Sequence, residues 1–181
     1  HVDLNVKGKD DFGKIYFKLF DGSKEYVSEE EIQFVNQSEN GGNHITPTEI
    51  NFKSVAQIEG AEYEVVYPTI KKAIEAAQTG ETVTILAGNY TQNLDINKAI
   101  TVQGERNDQG ENLVNITGKL NITANNATAK NLNVNNGNGN GAYINAKDVT
   151  VDGCKVVGGN GFRSCYTTGL VTFKNSTITG S

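Results

Sequence analysis

Three segments of this chain align without a gap: ATAKNLNVNN (127–136), VTVDGCKVVG (149–158) and VTFKNSTITG (171–180). Each segment starts 22 residues after the start of the one before it. A constant step of about 20–50 residues is typical of a solenoid, in which each repeat packs only against its neighbours. The apolar residues of each segment come in pairs two positions apart, such as Val149/Val151. This spacing predicts strands that bury one face.

A third apolar pair recurs at the same step outside the aligned segments. Ala142/Ile144 follow Leu120/Ile122 by 22 residues, and the step continues to Ser164/Tyr166. Because each repeat has three such pairs and no stretch that could hold a helix, we predict an all-β parallel β-helix with three strands per coil of about 22 residues. A leucine-rich repeat has a similar period, but its Leu-x-x-Leu-x-Leu signature is absent, so it is the weaker alternative.

The predicted coils share one apolar interior. Val134, Val156 and Ile178 should stack in a single column. Upstream apolar pairs between Leu94 and Ile116 indicate an earlier coil, lengthened by the polar loop 105–112. Of the two cysteines, Cys154 falls on an inward position and Cys165 on an outward one, so we expect free thiols.

One helix is predicted, over residues 69–78. Thr69 can cap its start, and Ile70, Ala73, Ile74 and Ala77 recur at helical spacing. Gly80 follows the helix, at a position where a left-handed backbone is favoured. The apolar stripe is narrow and rich in alanine, so the helix should lie close against a flat surface.

Residues 1–64 differ from the rest and are predicted to form a small β-rich module, with 65–181 as the β-helix domain. Alternation of apolar and polar residues predicts strands at Val2–Val6 and Lys14–Phe20, the second followed by a turn at Asp21-Gly22. A further strand is predicted at Thr48–Phe52. About sixty residues bury only a marginal core, so we expect this module to pack against the β-helix domain.

Charge and composition exclude some classes of function. The formal net charge is −5, and Arg106 and Arg163 are the only arginines. We therefore expect no nucleic-acid partner, because no basic patch is available to neutralise phosphates. No run of 18 apolar residues occurs, so we predict no membrane span. Because the chain has no methionine and starts at His1, we expect a mature product whose leader has been removed.

Two segments resemble a known superfamily. YPTIKKAIEAAQTGETVTILAGNY (67–90) and LDINKAITVQG (94–104) are similar to the opening of pectate-lyase-like right-handed parallel β-helices. The resemblance implies that the helix caps the N-terminal end of a right-handed, single-stranded β-helix over about 67–181. It implies no activity, because the superfamily holds lyases, hydrolases, esterases, phage tailspikes and surface proteins without known catalysis.

The C-terminal end has no matching cap in the sequence. The repeat pattern continues up to Ser181, and an open solenoid end exposes apolar side chains and unpaired strand edges. We therefore expect a fragment of a longer β-helix, or a trimer or end-to-end partner at the last coil.

Lyases of this superfamily hold calcium with clustered carboxylates and use an arginine or lysine as base. In the 22-residue register neither Asp95 nor Asp148 stacks on a second carboxylate. Calcium needs several oxygen ligands at one point, so we expect no metal or cofactor, with calcium as the exception if the protein is lyase-like. Asp152 falls between Lys130 and Lys174; it is a candidate ligand contact, and the alternative is an exposed charge ladder.

Three further residues are candidate ligand contacts. Tyr143 should point outward, because Ala142 and Ile144 point inward, and it could stack on a sugar ring or be an ordinary surface tyrosine. Phe162 and Arg163 follow a glycine-rich turn, and a guanidinium beside an aromatic ring can hold a sugar or a uronate carboxylate. The alternative for Phe162 is a side chain that folds back over the coil.

Together these observations favour a non-catalytic, extracellular or cell-surface protein, bacterial in type, whose rigid face serves adhesion or the binding of a polysaccharide or surface glycan. Two alternatives stay open. One is a truncated polysaccharide lyase or glycoside hydrolase whose catalytic coils lie beyond Ser181. The other is a structural β-helix of a phage or virion, such as a tailspike or a decoration protein.

Overall fold

The computed structural model describes residues 14–30, 32–33, 50–59, 63–164 and 169–180. Six short strands come first: β1 (Lys14–Ile15), β2 (Lys18–Phe20), β3 (Lys24–Val27), β4 (Ile32–Gln33), β5 (Ala56–Glu59) and β6 (Glu64–Tyr67). The strand predicted at Lys14–Phe20 is divided between β1 and β2, and the one predicted at Val2–Val6 lies outside the described residues. The strand predicted at Thr48–Phe52 is wrong over residues 50–52, which form none. The strand is β5 instead, because Ala56 and Ile58 bury their side chains.

The predicted turn between β2 and β3 is confirmed. Gly22 has a φ of +100°, which glycine adopts without the strain of a side chain. Asp21 Oδ1 accepts hydrogen bonds from the backbone N–H groups of Lys24 and Ser23, both at 2.8 Å. These bonds hold the pKa of the Asp21 carboxyl well below its usual range, since they favour the charged form.

The predicted helix is confirmed as α1 (Ile70–Ala76), two residues shorter at its C-terminal end. Thr69 caps it: its side chain accepts a hydrogen bond from the Lys72 backbone N–H at 3.1 Å. Ile70, Ala73 and Ile74 are buried and belong to the same hydrophobic cluster as the interior of the coils. The helix therefore covers the first coil.

Four coils of three strands follow, and two strands of a further coil. They are β7 (Thr82–Ile85), β8 (Gly88–Thr91), β9 (Leu94–Ile96); β10 (Thr101–Gly104), β11 (Val114–Thr117), β12 (Leu120–Ile122); β13 (Thr128–Lys130), β14 (Asn133–Asn135), β15 (Ala142–Ile144); β16 (Val149–Asp152), β17 (Lys155–Val157), β18 (Phe162–Ser164); and β19 (Val171–Lys174) and β20 (Thr177–Thr179). Strands at equivalent positions pair in parallel. The chain is therefore a parallel β-solenoid of about four turns, as predicted.

The solenoid has three sheets. Sheet 1 holds β7, β10, β13, β16 and β19; sheet 2 holds β8, β11, β14, β17 and β20; sheet 3 holds β9, β12, β15 and β18. Sheet 1 continues below the first coil through β5, β6, β3 and β2, with β5 antiparallel to β7. Strands on both sides of residue 64 thus share one sheet, and the predicted division into domains at 64/65 stays a prediction.

The interior is a set of apolar columns. On sheet 2, Ile116, Val134, Val156 and Ile178 are direct partners from coil to coil, as predicted. The first three are at most 1% exposed. Cys154, also predicted to point inward, is a free thiol that is 2% exposed, whereas Cys165 lies outside the described residues. Burial raises the pKa of the Cys154 thiol to about 11.

The corner between sheets 1 and 2 explains the asparagine- and glycine-rich spacing of the sequence. Asn131, Gly153 and Asn175 occupy it in three successive coils, with φ values of +57°, +62° and +47°. Asparagine and glycine are the residues that adopt this left-handed backbone most readily. In the second coil the same corner is lengthened by the polar loop, as predicted, and Arg106 and Asn112 form an antiparallel bridge within it.

One part of the predicted register is wrong. The pair that continues Ala142/Ile144 in the fourth coil is Phe162/Ser164, not Ser164/Tyr166. The physical reason is turn length: residues 136–141 join β14 to β15, whereas only residues 158–161 join β17 to β18. The later segment between β18 and β19 is correspondingly longer, so Val171 still pairs with Val149 at the 22-residue step.

Candidate functional site

The outer face of sheet 3 carries one column of polar side chains. Asp95, Asn121, Tyr143 and Arg163 are direct partners on its four adjacent strands. The flanking residues of β9, β12 and β15 are buried, and because side chains alternate along a strand, Tyr143 points outward, as predicted. Asn121 Nδ2 donates a hydrogen bond to Asp95 Oδ1 at 2.8 Å, so the lower half of the column is joined.

Tyr143 has two cationic residues as neighbours. Arg163 is its partner on the next strand, and side chains of directly opposed residues are close enough to interact. Lys119, which precedes β12, places its Nζ 5.5 Å from the centre of the Tyr143 ring, a distance suited to a cation–π contact. The backbone N–H of Lys119 is itself held by Asn93 Oδ1 at 2.9 Å. An aromatic ring and two positive charges therefore share a rigid surface.

Phe162 supports this surface from inside. It is the partner of the inward residue Ala142 and packs partly buried against the core. Its ring meets that of Phe173 edge-on, with centroids 5.1 Å apart and an interplanar angle of 77°. Phe162 thus folds back over the coil, and the alternation along β18 turns Arg163 outward beside Tyr143.

Asp152 lies elsewhere, on the outer face of sheet 1. Its partners on the neighbouring strands are Lys130 and Lys174, as predicted. Asn175 Nδ2 donates a hydrogen bond to Asp152 Oδ1 at 3.0 Å, and within the described residues no ion pair joins Asp152 to either lysine. Of the four candidate contacts, the structure brings Tyr143 and Arg163 together on one outer face, with Phe162 behind them and Asp152 on another sheet.

Sequence reasoning missed two features of the outer surface. Lys119 lies in a turn, and its contact with Tyr143 of the next coil depends on turn geometry that no local pattern reveals. The other feature is a row of asparagines on sheet 2: Asn89, Asn115 and Asn133 are partners on adjacent strands. They are spaced by 26 and then 18 residues, so an alignment at the 22-residue step does not place them together. Each nevertheless lies two positions before another polar residue on its strand.

The described residues offer little for metal or nucleophilic chemistry. Among them, no three histidine, cysteine, aspartate or glutamate side chains lie together as a metal site would require. The Cys154 thiol, with its raised pKa, stays protonated at neutral pH and is buried.

Within the described part of the chain, no helix combines the length and the apolar character that crossing a membrane requires. No family model, no curated protein and no solved structure matches this chain.

Proposed function

We propose that this chain is an extracellular or cell-surface β-helix protein of the pectate-lyase-like superfamily that binds glycans without catalysis. The binding surface would be the outer face of sheet 3 around Tyr143, Arg163 and Lys119. Adhesion to a glycan-bearing surface is the role that such a face would serve.

One observation carries the proposal: Tyr143 and Arg163 are direct partners on adjacent strands of sheet 3, and Lys119 Nζ lies 5.5 Å from the centre of the Tyr143 ring. An aromatic ring offers a flat apolar surface for a sugar ring. The guanidinium presents several donors in a fixed geometry to hydroxyl or carboxylate oxygens. Because strands rather than loops carry Tyr143 and Arg163, binding would cost little side-chain or backbone ordering.

The superfamily assignment is supported by the order of the elements. A capped helix, α1, is followed by a solenoid with three strands per coil, which is the arrangement that the resemblance of residues 67–104 implies. A non-catalytic role is supported by the composition of the outer face, where the Asp95 carboxylate is paired with an asparagine rather than with a second carboxylate.

The test is binding of the purified chain to immobilised polysaccharides, both acidic (polygalacturonate, alginate) and neutral. We expect binding to at least one acidic polymer, with affinity reduced about tenfold or more by Arg163→Ala, the loss of one charge-assisted hydrogen bond. Tyr143→Ala should weaken binding similarly. Arg106→Ala is the matched control, because it removes the same charge from a loop on another corner of the solenoid.

Two results would contradict the proposal. Equal binding by wild type, Arg163→Ala and Tyr143→Ala would place the glycan elsewhere. Turnover of polygalacturonate should be measured with and without calcium. If the wild-type chain shows turnover and Arg163→Ala abolishes it, the enzyme alternative is favoured.

A further inference from the structure

The outer face of sheet 2 forms a second groove, separate from the Tyr143 surface. Two rows of outward side chains border a groove of about 350 Å³ on this sheet. The lining side chains are Asn115, Thr117, Asn133, Asn135, Lys155 and Val157. The inward-facing Ile116 and Val134 lie beneath, and their burial keeps the floor fixed.

Hydrogen bonds hold the asparagines of the first row in place. Asn133 Nδ2 donates to Asn115 Oδ1, and Asn115 Nδ2 donates to Asn89 Oδ1, both at 3.0 Å. The polar loop secures the row from the side, because Asn112 Nδ2 donates to the Gly153 carbonyl oxygen at 2.9 Å and the Asn112 carbonyl accepts from Asn133 Nδ2 at 3.2 Å. The carboxamides are therefore oriented before any ligand arrives.

Hydrogen-bonding capacity remains in the groove. A primary amide has two N–H groups and two acceptor lone pairs, and the ladder uses one of each on Asn115. Asn135 Oδ1 accepts from the Gly137 N–H at 2.9 Å, while its amide nitrogen has no partner within the described residues. The Thr117 hydroxyl and the Lys155 ammonium are likewise unpaired there, so donors and acceptors that a ligand could use remain along the groove.

The chemistry of the lining selects the ligand. Among the described residues that line the groove there is no carboxylate and no aromatic ring, and Lys155 is the only charged side chain. Hydroxyl groups complement both the donors and the acceptors of amides and the hydroxyl of Thr117. Equivalent positions recur about every 4.8 Å along the solenoid, so a polymer with a regular repeat can contact several coils at once, and each added contact strengthens attachment.

We propose that the outer face of sheet 2 binds a neutral polysaccharide lying along the solenoid axis. This site is independent of the Tyr143 surface: the two lie on different sheets, and neither proposal requires the other.

The experiment measures binding of the full chain to hydroxyethyl cellulose, dextran and xyloglucan by affinity electrophoresis. We expect retardation by at least one of these polymers and at least tenfold weaker retardation of an Asn115→Ala/Asn133→Ala variant. Affinity should be the same at low and high salt, because a neutral polymer forms no ion pairs that salt could screen. Arg163→Ala should bind these polymers as wild type does, which separates this site from the one on sheet 3.

A second variant guards against loss of the fold. Thr117→Val removes one hydroxyl while keeping a β-branched side chain on an exposed strand position, and it should weaken binding severalfold with an unchanged melting temperature. Asn145→Ala, an exposed asparagine beyond β15, is the matched control. The proposal is overturned if the wild-type chain binds none of the three polymers. It is also overturned if Thr117→Val and the double variant bind as wild type does, or if the groove selectively binds an extended peptide instead.

Discussion

Leu120 and Leu19 lie in three-residue strands, yet their surroundings differ. Leu120, in β12, is 0% exposed, whereas Leu19, in β2, is 49% exposed. β12 lies between β9 and β15 in sheet 3, while β2 is the last strand of sheet 1 and pairs with β3. Leu120 therefore has neighbours above, below and across the interior, and Leu19 has them on fewer sides.

The comparison shows where burial comes from in this chain. In the coils each strand is too short to form a core alone, and stacking of equivalent strands on both sides completes it. In the strands before α1, alternation of apolar and polar residues is also present, but Tyr16, Leu19 and Phe20 remain exposed. Apolar periodicity thus predicts strands in both regions. The constant 22-residue step identifies the region whose strands stack around a buried core.

Replacement of these two leucines by alanine should give the greatest difference in stability. Leu120→Ala should lower the free energy of unfolding by about 2–5 kcal/mol, because it leaves a cavity inside the coil. Leu19→Ala should change it by no more than about 0.5 kcal/mol. Equilibrium denaturation in urea measures both, and similar costs for the two variants would show that β2 is packed as tightly as the coils.

Gly158 and Gly22 differ in the same way as the two leucines. A Cβ at Gly158 would lie 2.3 Å from the backbone nitrogen of Gly141 in the coil below, so Gly158→Ala should cost roughly 3 kcal/mol through overpacking. A Cβ at Gly22 would meet nothing within 4 Å, and Gly22→Ala should cost only the backbone strain of its positive φ, roughly 1–2 kcal/mol. Thermal melting ranks them; a greater cost at Gly22 would refute close contact between the coils.

The smallest effect is a pH dependence from Cys154. Burial raises the pKa of its thiol to about 11, so the folded state keeps a proton that the unfolded chain loses above about pH 9. This contribution is complete below about pH 9 and is lost as the pH rises through about 11. Unfolding measured from pH 8 to 11 should show a steeper decline for wild type than for Cys154→Ala. Equal slopes would mean that the interior admits water.

The sequence predicted the coil interior well because the same step governs all its columns. Val134, Val156 and Ile178 are separated by one constant interval, so a single alignment places them together. The fourth strand of sheet 3 could not be predicted in this way. A constant period sets the total length of the turns in a coil, but it leaves open how that length is divided among them. The turn before Phe162 is two residues shorter than its counterpart before Ala142.

The candidate site depended on that unpredicted division. The 22-residue step opposed Tyr143 with Cys165, whereas the observed register opposes it with Arg163. Both Tyr143 and Arg163 were recognisable as outward or turn-proximal residues, but their adjacency follows only from the shorter turn. The row from Asn89 to Asn133 lies in the irregular first coils, where its steps are 26 and 18 residues. The contact of Lys119 with Tyr143 depends on the geometry of the turn before β12.

The corner between sheets 1 and 2 has a consequence for how such a molecule can be altered. In the last three coils only two residues cross it, for example Asn131 and Leu132, but in the second coil residues 105–113 project from it, and the strands on either side keep their parallel partners. The corner therefore tolerates inserted segments while the stack stays intact. New loops could be grafted at Gly153 or Asn175, which would make the solenoid a scaffold whose surface diversifies separately from its interior.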